Sequence, residues 1–150
     1  MLGLLPAAIH TTGERATAVL ILDIDHFKVI NDEQGHPAGD AVLRRVANQL
    51  RDSLAPPGFL GRIGGEEFLI VVPDTTLEQA LAIAESLRKG VNHIDTSRIP
   101  ALLPITASIG LTLAVPGDGP GSLLQRADAA LYRAKRSGRD CVMVESASPA

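Results

Sequence analysis

Ala16 to Asp23, ATAVLILD, forms an apolar run rich in branched residues that closes on a carboxylate. A run of this kind, without polar alternation, predicts a strand covered on both faces. FKVINDEQGH then predicts a short helix closing near Gly35. From Asp40 to Leu54 the apolar positions Val42, Leu43, Val46, Ala47, Leu50 and Leu54 recur at helical spacing and stop before Pro56-Pro57. Phe59 to Ile63 and Glu66 to Val72 are two apolar runs joined by Gly64-Gly65, a pair able to take positive φ, which predicts a hairpin with carboxylates at its tip.

After Pro73, DTTLEQALAIAESLRKG carries a capping-box pattern at Thr75 and Glu78, with Gly90 as a stop. Its predicted inward stripe is Leu77, Ala80, Leu81, Ala84 and Leu87. Ile105 to Val115 is strand-like, PGDGPG is a loop, and Leu123 to Lys135 is a helix with Leu124, Ala127, Leu131 and Ala134 facing in. Cys141 to Val144 predicts a last short strand. The order β-α-α-β-β-α-β-α-β with a central hairpin implies an antiparallel or mixed sheet covered by helices, an α/β (α+β) arrangement.

With 150 residues, 45% of them hydrophobic, the chain can build one core without disulfide or structural metal, so residues 1–150 are expected to form a single domain. Its net charge of -3 argues against general binding to nucleic acid or a membrane surface. Cys141 is the only cysteine, which suits a reducing cytoplasm. MLGLLPAAI is apolar but short, interrupted by Pro6 and without a basic leader, so it matches neither a signal peptide nor a membrane span of roughly 20 residues. Leu2, Leu4 and Leu5 are expected to pack on the domain or on a partner subunit.

If the first strand lies beside the second hairpin arm, Asp23, Glu66 and Glu67 converge at one sheet edge. Grouped carboxylates suit Mg²⁺, which takes one or two of them with water and substrate phosphates; each is also explicable as a solvated strand end. Lys28, Arg62, Lys135 and Arg139 are candidate phosphate contacts, although cations at a helix C-terminus equally complement its dipole. Asn31 and Asp40 can offer an amide and a carboxylate to a purine edge, or serve as a helix-end residue and an N-cap. No Walker A pattern exists, and His10, His26, His36 and His93 lack metal-ligand spacing.

DIDHFKVIND, GHPAGD, RIGGEEF, ITASIG and RADAALYRAKRSGR, in this order over roughly Ala16 to Val144, resemble the GGDEF family of diguanylate cyclases. The resemblance implies a palm-like sandwich with a mostly antiparallel sheet, similar to class III nucleotide cyclases. It implies condensation of two GTP into cyclic di-GMP with release of two pyrophosphates, across a homodimer in which each domain holds one GTP. It assigns metal binding to Asp23, the carbonyl of Ile24 and Glu66, with Mg²⁺, or Mn²⁺ in its place, two per half-site.

On the same resemblance Glu67 assists metal binding or deprotonates the attacking 3′-hydroxyl, while Gly64 and Gly65 admit the α-phosphate. Phe27 and Lys28 wrap the β- and γ-phosphates, Lys135 and Arg139 neutralise the triphosphate tail, and Arg62 contributes at the reacting phosphate. Asn31 and Asp40 read guanine, Asp40 favouring it over adenine, which lacks the N1-H and N2-H donors.

Three departures from the family pattern stand out. APPG, Ala55 to Gly58, replaces the Arg-x-x-Asp product-inhibition motif, and the secondary arginines would fall near Ala82 and Ser86, so inhibition through that site is not expected. Residues 1–15 only faintly echo the family's opening. There is no room for an upstream sensory domain or stalk, so the expectation is either a domain cut from a longer protein or a cyclase that self-associates weakly. The alternatives are a non-catalytic module binding GTP or a protein, and a cyclase making a cyclic mononucleotide; product identity separates them.

Overall fold

The computed structural model describes residues 15–97 and 104–147. The packing expected of Leu2, Leu4 and Leu5, and the position of His10, lie outside them. Five strands and four helices follow the order read from the pattern. They are β1 (Ala16–Ile24), α1 (Phe27–Gln34), α2 (His36–Ser53), β2 (Phe59–Arg62), β3 (Glu67–Thr75), α3 (Leu77–Asn92), β4 (Ala107–Leu113), α4 (Pro120–Arg136) and β5 (Val142–Val144).

The sheet order is β2-β3-β1-β4-β5, antiparallel throughout except for the parallel β4-β5 pair. β1 is the middle strand and every one of its residues is buried. Alternation along it splits the core. Ala18, Leu20, Leu22 and Ile24 face α1, α2 and α3 through residues such as Ile30, Val46, Leu50, Ala84 and Leu87. Val19 and Ile21, with Leu69 and Val71 of β3, face Leu123, Ala127 and Leu131 of α4. The result is the palm-like helix-sheet-helix sandwich expected.

α4 lies unusually close to the sheet. A Cβ on Gly110 of β4 would stand 2.2 Å from the Ala127 carbonyl oxygen and 2.3 Å from the Leu131 nitrogen. Hydrogen alone fits there.

Several local expectations need correction. The capping box is Thr76 with Gln79, not Thr75 with Glu78, because β3 runs on through Pro73 and Thr75 pairs with Ala16 of β1. A register shift between Ala16 and Ala18 opposes this end of β3, where Pro73 has no N-H to give. Gly90 does not stop α3, which continues to Asn92; a Cβ there would stand 2.7 Å from Nε2 of Gln49, so this glycine permits a close helix contact instead.

Leu77 is 39% exposed rather than part of the inward stripe. α2 begins at His36 with Pro37 in its first turn, so Asp40 is inside the helix and is not its N-cap. α4 begins at Pro120, inside the stretch read as loop. The positive-φ glycines among the described residues are Gly35, Gly117 and Gly138; the hairpin pair Gly64-Gly65 is not among them.

Candidate functional site

The antiparallel register sets Asp23 of β1 directly opposite Glu67 of β3. The main-chain nitrogen of Ile24 donates to the carbonyl of Glu66 at 3.2 Å, closing the strand ends together. Glu67 reaches back over the turn, since a Cβ on Gly64 would stand 3.2 Å from its Oε1, while the space above Gly65 is open to at least 4 Å. Arg62 fastens the turn from beneath: Nε donates to the Gly64 carbonyl at 3.1 Å and a terminal nitrogen to that of Gly65 at 2.7 Å. Its guanidinium therefore shapes the glycine turn.

Lys135, in the last turn of α4, donates from Nζ to Oδ2 of Asp23 at 2.9 Å. The Asp23 side chain is only 6% exposed. Burial raises its pKa above the ordinary carboxylate value, with the Lys135 contact opposing the shift. Glu67 is also raised, first by burial and then by the charges of Asp23 and Asp128. Two carboxylates pressed together with an ammonium on one of them form a place that favours added positive charge.

Among the described residues no three His, Cys, Asp or Glu side chains gather into a metal cluster, so Glu66 does not join Asp23 and Glu67 in one. Mg²⁺ needs only one or two protein carboxylates, completing its shell with water and phosphate oxygens. The pair present fits a hard divalent cation.

The helical side of the site depends on a glycine that the periodicity does not reveal. Gly39 packs against α1: a Cβ there would lie 1.8 Å from Oδ1 of Asn31 and 3.3 Å from the buried Phe27 ring. Because it has none, the Asn31 amide packs directly against α2 at Gly39, the residue before Asp40. Asp40 is exposed and lines a cavity of about 230 Å³ with Leu43, Arg44, Ala47, Arg62 and Phe68. Arg62, which lines the cavity of Asp40, links it to the glycine turn.

Lys28 stands on the exposed face of α1, its side chain 90% accessible and paired, among the described residues, with Asp32 at 3.3 Å. Arg139 follows α4 in a turn where Gly138, Arg139 and Asp140 all have positive φ, at 110°, 66° and 48°. Both cations are at the surface and not in contact with the carboxylates.

A buried carboxylate beside the site, Asp25, went unnoticed in the sequence. It accepts from Oγ1 of Thr106 at 2.6 Å, Oγ of Ser108 at 2.7 Å and the main-chain nitrogen of Asp140 at 3.0 Å. The only hint in one dimension is its spacing two residues beyond Asp23; its partners are more than 80 positions away.

Ala55 and Gly58, at the positions of the family's inhibition motif, line a largely apolar cavity of about 510 Å³ together with Pro56, Pro57, Ala82 and Ser86. Among the described residues no arginine lines it.

Opposed carboxylates and a lysine thus meet at one end of a palm-like sheet, beside an open glycine turn. The family model described as diguanylate cyclase, GGDEF domain, matches residues 5–141. The chain belongs to the GGDEF family. It is 45% identical to Diguanylate cyclase DgcP of Pseudomonas aeruginosa over 80% of this chain and 18% of that protein. To Response regulator PleD of Caulobacter vibrioides it is 42% identical over 91% of this chain and 31% of that one. The chain therefore spans less than a third of either relative.

Among solved structures, the GGDEF domain of PA1120 (YfiN or TpbB) from Pseudomonas aeruginosa superposes with a TM-score of 0.86 at 34% identity, over 97% of this chain and 93% of that one. The GGDEF domain of DgcB from Caulobacter crescentus, in complex with c-di-GMP, gives 0.81 at 39% identity over 88% and 79%. No helix among the described residues is long and apolar enough to cross a membrane.

Proposed function

We propose that this domain is a diguanylate cyclase, joining two GTP molecules into cyclic di-GMP across a head-to-head pair of its own copies. The convergence of Asp23, Glu67 and Lys135 beside the Gly64-Gly65 turn, in a GGDEF chain, carries the reading. The names of its relatives and the c-di-GMP in one structural neighbour support it.

In this reading each protomer binds one GTP. Asp40 accepts from N1-H and N2-H of guanine while the Asn31 amide, packed against Gly39, completes the base contact. Discrimination against ATP follows because adenine offers Asp40 an acceptor at N1, leaving two acceptors facing each other. Gly65, with open space above it, lets the nucleotide's α-phosphate approach the main chain. Phe27 and Lys28 flank the β- and γ-phosphates, and Lys135 and Arg139 offset the charge of the tail.

Asp23, the carbonyl of Ile24 and Glu66 would hold Mg²⁺, or Mn²⁺ in its place, two per half-site, with Glu67, set opposite Asp23, acting as base. When bound, the cation offsets charge on the α-phosphate and on the departing pyrophosphate. The 3′-oxygen of one GTP bonds to the α-phosphorus of the other, the bond to the β-phosphate oxygen breaks, and pyrophosphate leaves. The 3′-hydroxyl proton passes to Glu67, which the sheet register holds opposite Asp23. Repeating the step in the opposite sense closes the ring. The reading implies a cytoplasmic setting, where GTP is supplied.

The test is incubation with GTP and Mg²⁺ at high protein concentration, with and without a fused dimerising segment, and identification of the product by mass spectrometry. Cyclic di-GMP is expected, and Glu66→Ala is expected to abolish it in a folded protein. A cyclic mononucleotide, or no product even with enforced pairing, would overturn the proposal.

A further inference from the structure

The GTP-facing end of the domain is assembled from segments far apart in the chain, and the hydrogen bonds of Asp25 tie three of them together. Asp25 lies in the turn between β1 and α1, directly after Ile24 and two residues before Phe27. Its own main-chain nitrogen donates to the Thr106 carbonyl at 2.9 Å, and its carboxylate takes the hydroxyls of Thr106 and Ser108, fixing the turn to β4. The third donor, the main-chain nitrogen of Asp140, belongs to the turn that carries Arg139.

That turn needs holding. Arg139 and Asp140 are both non-glycine residues at positive φ, a conformation that costs an L-residue of order 1 kcal/mol or more and persists only where neighbours enforce it. One enforcing contact is the 3.0 Å bond from the Arg139 nitrogen to the Ala134 carbonyl, which closes the end of α4. Asp25 supplies a second. The third comes from α3: Arg88, only 14% exposed, places one terminal nitrogen 2.6 Å from Oδ1 of Asp140 while the other holds Glu85 at 2.8 Å. Asp140 is therefore gripped from both sides, by Asp25 at its main chain and by Arg88 at its side chain.

We infer that Asp25 and Arg88 are positioning residues that aim Arg139 at the triphosphate tail, with Glu85 steadying Arg88. This rests on the reading of Arg139 as a phosphate contact. Neither Asp25 nor Arg88 touches the nucleotide in this account; both act by selecting one conformation of the turn that carries Arg139. Without them the turn relaxes to negative φ and the guanidinium samples positions away from the phosphates, so affinity falls for the tail and not for the base.

Two substitutions separate this from a merely structural role. Asp25→Asn keeps the shape and lets Ser108 accept where it formerly donated, but weakens the charge-assisted hold on Asp140. Arg88→Met keeps the packing stem and removes the grip on the Asp140 carboxylate. The measurement is calorimetric binding of a non-hydrolysable GTP analogue and, separately, of guanosine, with melting curves confirming the fold.

Each variant is expected to weaken the GTP analogue about tenfold while leaving guanosine unchanged, the scale of losing one aligned charged contact. In an Arg139→Ala background neither should weaken it further. Equal losses for analogue and guanosine, no loss at all, or losses that add to that of Arg139→Ala would overturn the inference. If Asp25→Asn does not fold, Arg88→Met decides alone on the same criteria. If Arg139→Ala itself leaves the analogue's affinity intact, the phosphate reading of Arg139 fails and takes the inference with it. That result is distinct from failure of the network, in which Arg139→Ala weakens binding and the two positioning variants do not.

Discussion

Asp40 shows how one side chain changes meaning between sequence and structure. As an N-cap it would be spent on helix nitrogens; inside α2 and exposed, with its cavity beside it, it is free to meet a base. Asp40→Ala should therefore reduce the preference for GTP over ATP, measured as the ratio of kcat/KM values, by about tenfold or more, the scale of an unmade charged hydrogen bond. Unchanged discrimination would remove Asp40 from the base-reading role. Asp118 makes a different kind of claim. Arg126 holds it with two contacts of 2.7 Å, and the Val115 nitrogen and Ser122 hydroxyl add to them. Chiefly through Arg126, its carboxyl is kept well below the usual carboxylate range. A depressed native pKa stabilises the fold above the ordinary value and loses that contribution as pH falls through the native one. The melting temperature should thus decline from about pH 5 downward, and Asp118→Asn should lower it at neutral pH while flattening that decline.

At the scale of elements, the apolar pattern identified the strands and helices of the described residues and their order, because a strand covered on both faces reads as a continuous apolar run and a helix on the sheet as a single apolar stripe. The misplaced details share a cause. Thr75 and Thr76 are equivalent to a capping pattern, and only pairing of Thr75 with Ala16 in the sheet decides between them. Gly90 and Gly110 look like helix and strand breakers, yet each marks the place where another element comes too near for a Cβ. Gly110→Ala should accordingly be the more damaging change. Its methyl would meet main-chain atoms of α4 that cannot rotate aside, whereas a methyl at Gly90 meets the flexible end of Gln49. A loss of about 3 kcal/mol or more in denaturant unfolding is expected for Gly110→Ala, and a markedly smaller one for Gly90→Ala. Similar small losses for both would show that α4 can lift from the sheet at little cost.

The whole molecule raises the question of restraint. The cavity lined by Ala55, Gly58, Ala82 and Ser86 offers apolar surface where an anionic dinucleotide would need guanidinium groups. Cyclic di-GMP formation is expected to proceed with the same early rate whether or not a phosphodiesterase clears the product; a marked acceleration on clearance would reveal an inhibitory site elsewhere. What the chain's own order of residues determined was the set of elements and the carboxylates at the end of β1 and the start of β3, since burial and charge are written locally. The tertiary structure alone decided that Glu67 is the carboxylate set against Asp23, that the Asn31 amide packs against Gly39, and that Asp25 reaches Asp140. Those are contacts between residues distant in sequence, fixed by sheet register and by how closely helices can approach, and neither quantity is present in any one stretch of the chain.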